Sequence, residues 1–145
     1  MKFEYTGYGE DRFPELEWRA PASIASQVEE FLLIYEDPDA LFLWPPTHGL
    51  HYAIPLSTTH ITVYDMTLDK DNTAGRTKMV VKGPFKVSKN IMGTYYGGPR
   101  PLLGHRPYRY FYKLVTLKEP LDVTKLSEIV TKKELTDTII GKVIR

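Results

Sequence analysis

The sequence predicts a mostly β fold, an antiparallel sandwich with a few peripheral helices gathered in the C-terminal third. The expectation rests on its punctuation, its short strand-like runs and a change of pattern near residue 120. Eleven prolines and ten glycines are spread through 145 residues. Before residue 120 no segment keeps a helical period long enough for an ordinary helix. Short runs of β-branched and aromatic residues between turn formers have the pattern of strands.

Taken in order, Glu29–Tyr35 (EEFLLIY) is apolar, too short for a typical helix, and stopped by Asp37-Pro38. It is expected to be a buried strand. His51–Leu56 follows, with Pro55 marking its end. His60–Met66 (HITVYDM) has strand composition, and Lys78–Lys82 is a candidate fourth strand. Arg109–Leu117 is the clearest. There Tyr110, Tyr112, Leu114 and Thr116 alternate with Phe111, Lys113 and Val115, and the apolar content predicts burial on both faces. Thr124–Val130 and Lys132–Ile140 carry helical patterns. Thr131 with Glu134 makes a capping box for the second, and Gly141 ends it. Residues 142–145 are a last short strand or a tail. Residues 67–78 are a polar loop. Residues 83–108 hold five glycines and four prolines, and an irregular stretch of that length in a compact domain is expected to build a site.

Hydrophobic residues at 42% and charged residues at 26% give an ordinary globular balance. The length fits one domain over residues 1–145 that needs no covalent or metal staple. The absence of cysteine excludes disulfides, thiolate nucleophiles and cysteine metal sites. A formal charge of +1 gives no electrostatic case for nucleic acid or an anionic membrane. The N-terminus MKFEYTGYGEDRF has no apolar leader core, and no run reaches membrane-spanning length. A cytoplasmic protein without a membrane span or cofactor is expected. No nucleophile elbow, phosphate loop, dinucleotide fingerprint or H-E-x-x-H occurs.

Three stretches carry chemistry, and they are expected to meet in a single polar pocket built from residues 35–52 and 95–110. In Glu36-Asp37-Pro38-Asp39-Ala40, Pro38 biases Asp37 toward extended geometry, so Asp37 and Asp39 can present oxygens around one turn. Alone, an acidic turn explains it as well. In Trp44-Pro45-Pro46-Thr47-His48-Gly49-Leu50-His51, the two histidines lack helical metal-ligand spacing, so no metal site is expected. His51 at the head of an apolar strand can donate and accept in a pocket, or be a satisfied core histidine. In residues 95–110 the glycines allow close backbone approach, and adjacent N–H groups can form an anion nest. A plain Gly/Pro connector is the alternative.

The ordered set resembles the phosphatidylethanolamine-binding protein family. The landmarks are Asp37-Pro38-Asp39-Ala40, His51-Tyr52, Gly97-Gly98-Pro99-Arg100-Pro101 and Tyr108-Arg109-Tyr110, with Pro14-Glu15-Leu16-Glu17-Trp18 before them and Gly141-Lys142-Val143 after. The resemblance implies a sandwich with one anion-accepting pocket lined by Asp37, His51, Tyr108 and Tyr110, with Gly98 and Pro99 at its wall and Trp44 nearby. It also implies an internal pair between Asp39 and Arg109. The chain departs from the family pattern at Tyr108, where a histidine is usual, at Leu41 and at Lys142. Tyr108 adds bulk and apolar area, which implies a flatter or more apolar ligand. Two functions follow. One is a cofactor-free enzyme that assists cyclisation of a polyketide-type intermediate, as some fungal relatives do, with His51, Asp37 and Tyr108 as its acid/base and polarising groups. The other is a non-catalytic module for an anionic or phosphorylated ligand such as a phospholipid headgroup, or one that regulates a kinase partner. The sequence leaves open a protein partner or a homodimer.

Overall fold

The computed structural model describes residues 2–40, 42–67, 81–90, 93–102, 104 and 108–144. Its centre is a four-stranded antiparallel sheet in the order β5 (Lys86–Ser88), β3 (Thr47–Pro55), β2 (Glu30–Glu36), β6 (Phe111–Leu117). A second, two-stranded antiparallel sheet joins β1 (Leu16–Glu17) to β4 (His60–Ile61). The α-helix α1 (Lys132–Thr138) comes late in the chain.

β2 sits inside the sheet because it is apolar on both faces, and all seven of its residues are buried. Successive side chains on a strand point to opposite sides, so such a run needs cover on both. Phe31, Leu33 and Tyr35 pack with Phe13, Ile61 and Val87. Leu32 and Ile34 pack with Leu50, Tyr52, Leu126 and Leu135 on the helix side. Each such side chain, fully buried, contributes about 1.5–3 kcal/mol.

β3 is bulged twice against β2. Pairing jumps from Phe31↔Ile54 to Leu33↔His51, and again from Tyr35↔Gly49 to Glu36↔Thr47. A bulge adds one residue and breaks the two-residue alternation. Ala53 takes a left-handed φ of 53° at the first bulge. As a result His48, His51 and Ile54 all lie on the Tyr35 face, although they are three apart in sequence.

Other elements differ from expectation for local reasons. β6 is an edge strand and remains partly exposed, with Phe111 in solvent, so its apolar content does not mean burial on both faces. The third expected strand shrinks to His60–Ile61, because the Asp65 carboxylate accepts from both the N–H and the hydroxyl of Thr62 and turns the chain. Thr124–Val130 is not an α-helix. A single 3-10 turn, Val123–Lys125, forms there, with Asp122 accepting from the Thr124 N–H. Thr131 and Glu134 form the capping box of α1, and Gly141 follows at φ 81°. Val143 makes an antiparallel bridge to Leu117. The expected strand at 78–82 and loop at 67–78 lie mainly outside the described residues.

One carboxylate fastens α1 to the sheet. Glu36, 1 % exposed, meets the ammonium groups of Lys113 on β6 and Lys132 on α1. Burial pushes its carboxyl up, but the two ammonium groups outweigh burial and hold it below its ordinary value.

Candidate functional site

β2 ends at Glu36, and the next residue, Asp37, points to the opposite face. Its carboxylate accepts the N–H of Asp39 at 2.9 Å, the turn that Pro38 favours. Tyr110 donates its phenol to Asp37 and accepts the backbone N–H of Arg100. Burial, then Asp37, push the Tyr110 phenol well above its ordinary value, so it stays protonated. Asp37 is 2 % exposed, and it serves to hold Tyr110 rather than to stand open to solvent.

The imidazole of this site is His48. Its ring lies edge-on to Tyr110, with centroids 5.5 Å apart, and tilted on Tyr35 at 5.4 Å. Nδ1 is 3.0 Å from the carbonyl oxygen of Gly97. A carbonyl can only accept, so Nδ1 carries the proton and Nε2 is left as the acceptor. The backbone of His48 is fixed as well, since its carbonyl accepts from Gly97 N at 2.9 Å and from the Asn90 amide at 2.9 Å. Burial holds the His48 pKa below its ordinary value, while the Gly97 carbonyl, Asp37 and Asp11 oppose it.

His51 does not belong to this group. It is fully buried between Phe13, at 5.4 Å, and Phe85, at 5.9 Å, within the core. Burial pushes its pKa to about 3, opposed only by the Leu33 backbone. The bulge at His48 explains the difference from expectation. It puts an earlier histidine on the same face, nearer the end of β2.

The Gly/Pro loop is enclosed by the N-terminal segment. Gly7 N donates to Pro99 O at 3.0 Å, Tyr8 donates to Pro101 O at 2.7 Å, and Tyr96 donates to Tyr5 O at 3.0 Å. Asp11, at φ 55°, accepts the Gly98 N–H at 2.6 Å. A Cβ on Gly98 would stand 2.5 Å from Tyr5 O and 2.9 Å from Gly7 N. Gly98 is therefore a packing position against residues 5–11, not an open pocket wall. Among the described residues of this loop the expected anion nest does not form. The N–H groups of Gly97, Gly98 and Arg100 are given to His48, Asp11 and Tyr110, and Pro99 has none.

The remaining expected residues fall in different places. Tyr108 is half-buried and close enough to Tyr110 to affect its phenol. Trp44 is 68 % exposed and lines a groove on the helix side that contains none of Asp37, His48, Tyr108 or Tyr110. Arg109 grips Asp39 with two prongs of 2.8 Å, and its backbone N–H adds a third bond at 2.8 Å. Asp39 is buried, but the Arg109 side chain is 68 % exposed, so the pair closes from the surface rather than inside the fold. Behind the site, Tyr35 and Tyr112 stack at 4.2 Å and 5°, with Tyr96 beside them. Burial raises the phenol of Tyr96 to about 12 and pushes those of Tyr35 and Tyr112 higher. Among the described residues no three His, Asp or Glu side chains gather as a metal site, and no helix is long and apolar enough to cross a membrane.

The sequence model of the phosphatidylethanolamine-binding protein family matches residues 1–145. The chain belongs to the phosphatidylethanolamine-binding protein family. It is 42% identical over 140 residues to phomoidride biosynthesis cluster protein B of Talaromyces stipitatus, covering 97% of this chain and 56% of that one. It is 37% identical over 140 residues to the protein of the same name from a second fungal strain, covering 97% and 64%. A UPF0098 protein of Aquifex aeolicus is 31% identical over 116 residues, 78% of this chain and 58% of that one. The chain thus spans only 56% to 64% of the length of these curated relatives. The crystal structure of Escherichia coli YbcL, described as a new member of the mammalian family, superposes with a TM-score of 0.70 at 21% identity, over 95% of this chain and 77% of that one. At that identity the likeness concerns the fold.

Within this family member, sequence reasoning missed His48 and Asp11. His48 was legible only as the first of two histidines three apart at the head of an apolar strand. Asp11 was legible only as a residue type that tolerates left-handed backbone.

Proposed function

We propose that the protein is a cofactor-free enzyme that uses His48 as a general base to assist cyclisation or isomerisation of a polyketide-type biosynthetic intermediate. The observation that carries this reading is the bond from His48 Nδ1–H to the Gly97 carbonyl, with the ring pKa held low. A neutral imidazole of fixed tautomer offers Nε2 to a carbon acid at neutral pH. The substrate C–H next to a carbonyl gives its proton to Nε2, and the electron pair moves onto the carbonyl oxygen. Tyr110, kept protonated, is the near donor for that oxygen, and Tyr108 stands beside it as bulk that shapes the ligand. Holding the reacting ends together supplies a further share of the acceleration.

The names of the fungal relatives, which place them in a biosynthesis cluster, support a biosynthetic role. The alternative, a module for an anionic headgroup, fits less well. The N–H groups of Gly97, Gly98 and Arg100 are spent inside the protein, and Asp11 and Asp37 bring negative charge to the imidazole. This reading carries with it a single small-molecule substrate, a cytoplasmic location and no metal.

The test is incubation with polyketide-type keto and enoyl acid intermediates in deuterated water, followed by mass spectrometry. Wild type incorporates deuterium at the acidic carbon and forms cyclised product, and His48→Ala loses roughly 10²- to 10⁴-fold in rate. Equal rates in the two proteins would end the general-base reading. Saturable binding of phosphoethanolamine without turnover of any intermediate would favour the headgroup module.

A further inference from the structure

A groove of about 820 Å³ lies on the helix side of the sheet, between the Trp44–Pro46 segment and the residues that enter α1. That volume is within the range of about 300–1,000 Å³ typical of small-molecule sites. It is distinct from the His48 site. Thr47 and Leu50 line the groove, whereas His48 faces the other side of the same strand.

Its apolar walls are Trp44, Pro46 and Leu50 on one side, with Ile129 and Val130 on the other. Trp44 is 68 % exposed and Ile129 60 %, so two large apolar side chains flank the groove in water. Phe42 at 61 % and Leu43 at 95 %, the two residues before Trp44 in the chain, are exposed as well. A contiguous apolar patch with a charged rim is a common mark of a binding surface.

The rim carries Lys89, Lys132 and Lys133, and Asp137 is its acidic lining residue. Lys132 is committed to Glu36 beneath the groove, and Lys133 reaches Asp137 at 2.5 Å. Lys89 is left over. It is exposed, and among the described residues no carboxylate pairs with it. The groove therefore combines a long apolar wall with a positive rim, on which Lys89 is the lysine that no described carboxylate engages.

We propose that this groove is a second ligand site, built for an amphipathic monocarboxylate, with the alkyl chain between Trp44 and Ile129 and the carboxylate at Lys89. The carboxylate is set at Lys89 because, among the described residues, no protein carboxylate engages that rim lysine. The site does not rest on His48, and it stands or falls apart from the proposed catalysis.

The experiment uses dodecanoate, below its micelle concentration, as the probe. Trp18→Phe leaves Trp44 as the sole tryptophan, and its fluorescence is titrated. Since Trp18 packs on Phe31, the same titration is run by calorimetry on wild type. Expected is a saturable shift of Trp44 emission to shorter wavelength, abolished by Ile129→Asp and unchanged by His48→Ala. Lys89→Glu should weaken dodecanoate by about tenfold, since it replaces an attraction with a repulsion at an exposed rim. Dodecyltrimethylammonium, with the same chain and opposite charge, should bind more weakly than dodecanoate to wild type. Equal binding of the two amphiphiles would overturn the proposal, and so would the absence of saturation in both measurements. A shift of Trp44 emission with protein concentration alone would also overturn it, because a second copy of the chain would then occupy the groove.

Discussion

The Nδ1–H of His48 meets the Gly97 carbonyl oxygen at 3.0 Å, so the ring holds its proton on the side of the Gly/Pro loop and keeps Nε2 as a lone-pair acceptor. Both partners are themselves tied, because Gly97 N–H returns a bond to the His48 carbonyl. This reciprocal pairing joins the start of β3 to a loop some fifty residues later and fixes the imidazole without any help from a carboxylate.

The pH dependence of catalysis follows from that geometry. A general base works only when neutral, so the rate is lost as pH falls through the His48 pKa. Burial sets that pKa below the ordinary 6.5. A pH–rate profile should be flat through neutrality and drop on the acid side, at a pH lower than that of free imidazole. A drop centred above the ordinary value would place the base elsewhere.

His51 should behave as a core residue. Its folded pKa of about 3 lies under the unfolded value of 6.5, so the unfolded chain binds the extra proton first. The neutral ring therefore costs nothing above about 6.5, and stability falls progressively as pH drops from there toward about 3. His51→Leu should flatten that acid limb in urea denaturation while leaving the rate of catalysis near wild type. A large fall in rate without a change in stability would return His51 to the site.

Gly98 is held by contact rather than by backbone angle. Gly98→Ala puts a methyl against Tyr5 O and Gly7 N, which cannot move without lifting the N-terminal segment. Overpacking of this kind costs about 1–3 kcal/mol. Urea midpoints measure it. Protease cleavage within residues 5–11 should rise in parallel if the segment is what gives way.

Asp39 and Arg109 should show unequal single-variant effects. Arg109→Ala takes two charge-assisted bonds from a buried carboxylate, whereas Asp39→Ala releases an already exposed guanidinium to water. The first should be the more destabilising, and the double variant should cost less than the two together. Additive losses in thermal denaturation would show that the two side chains act independently.

The fold was legible where local rules and packing agree. The run EFLLIYE reads as an inner strand because no other element accepts apolar residues on every side, and Thr131 with Glu134 marks a helix start whatever surrounds it. The site was legible only in part. Asp37 and Tyr110 were found because their motifs fix them at element ends. The histidine was displaced by three positions because bulges are set by pairing between strands, and nothing in a single strand announces them. Trp44 was expected beside the pocket, yet the residues of this stretch divide between the two faces of the sheet. The glycines of residues 97–98 gave a correct expectation of close approach. What approaches is the protein's own N-terminal segment, which no periodicity could reveal.

Glu36 and Asp37 are neighbours in the chain that deliver carboxylates to opposite sides of one peptide layer. On the helix side two ammonium groups more than compensate Glu36, and Lys89 stands in surplus. On the other side Asp37 bears on the phenol of Tyr110 and, with Asp11, on the neutral ring of His48. Among the described residues the two faces at this end of the sheet thus carry different charges, lysines behind and the carboxylates of Asp11 and Asp37 in front. Ligands meeting this end of the sheet would be sorted between its two faces by the sign of their charge before any pocket shape is felt, an acid toward the lysines and an uncharged molecule free to approach the imidazole.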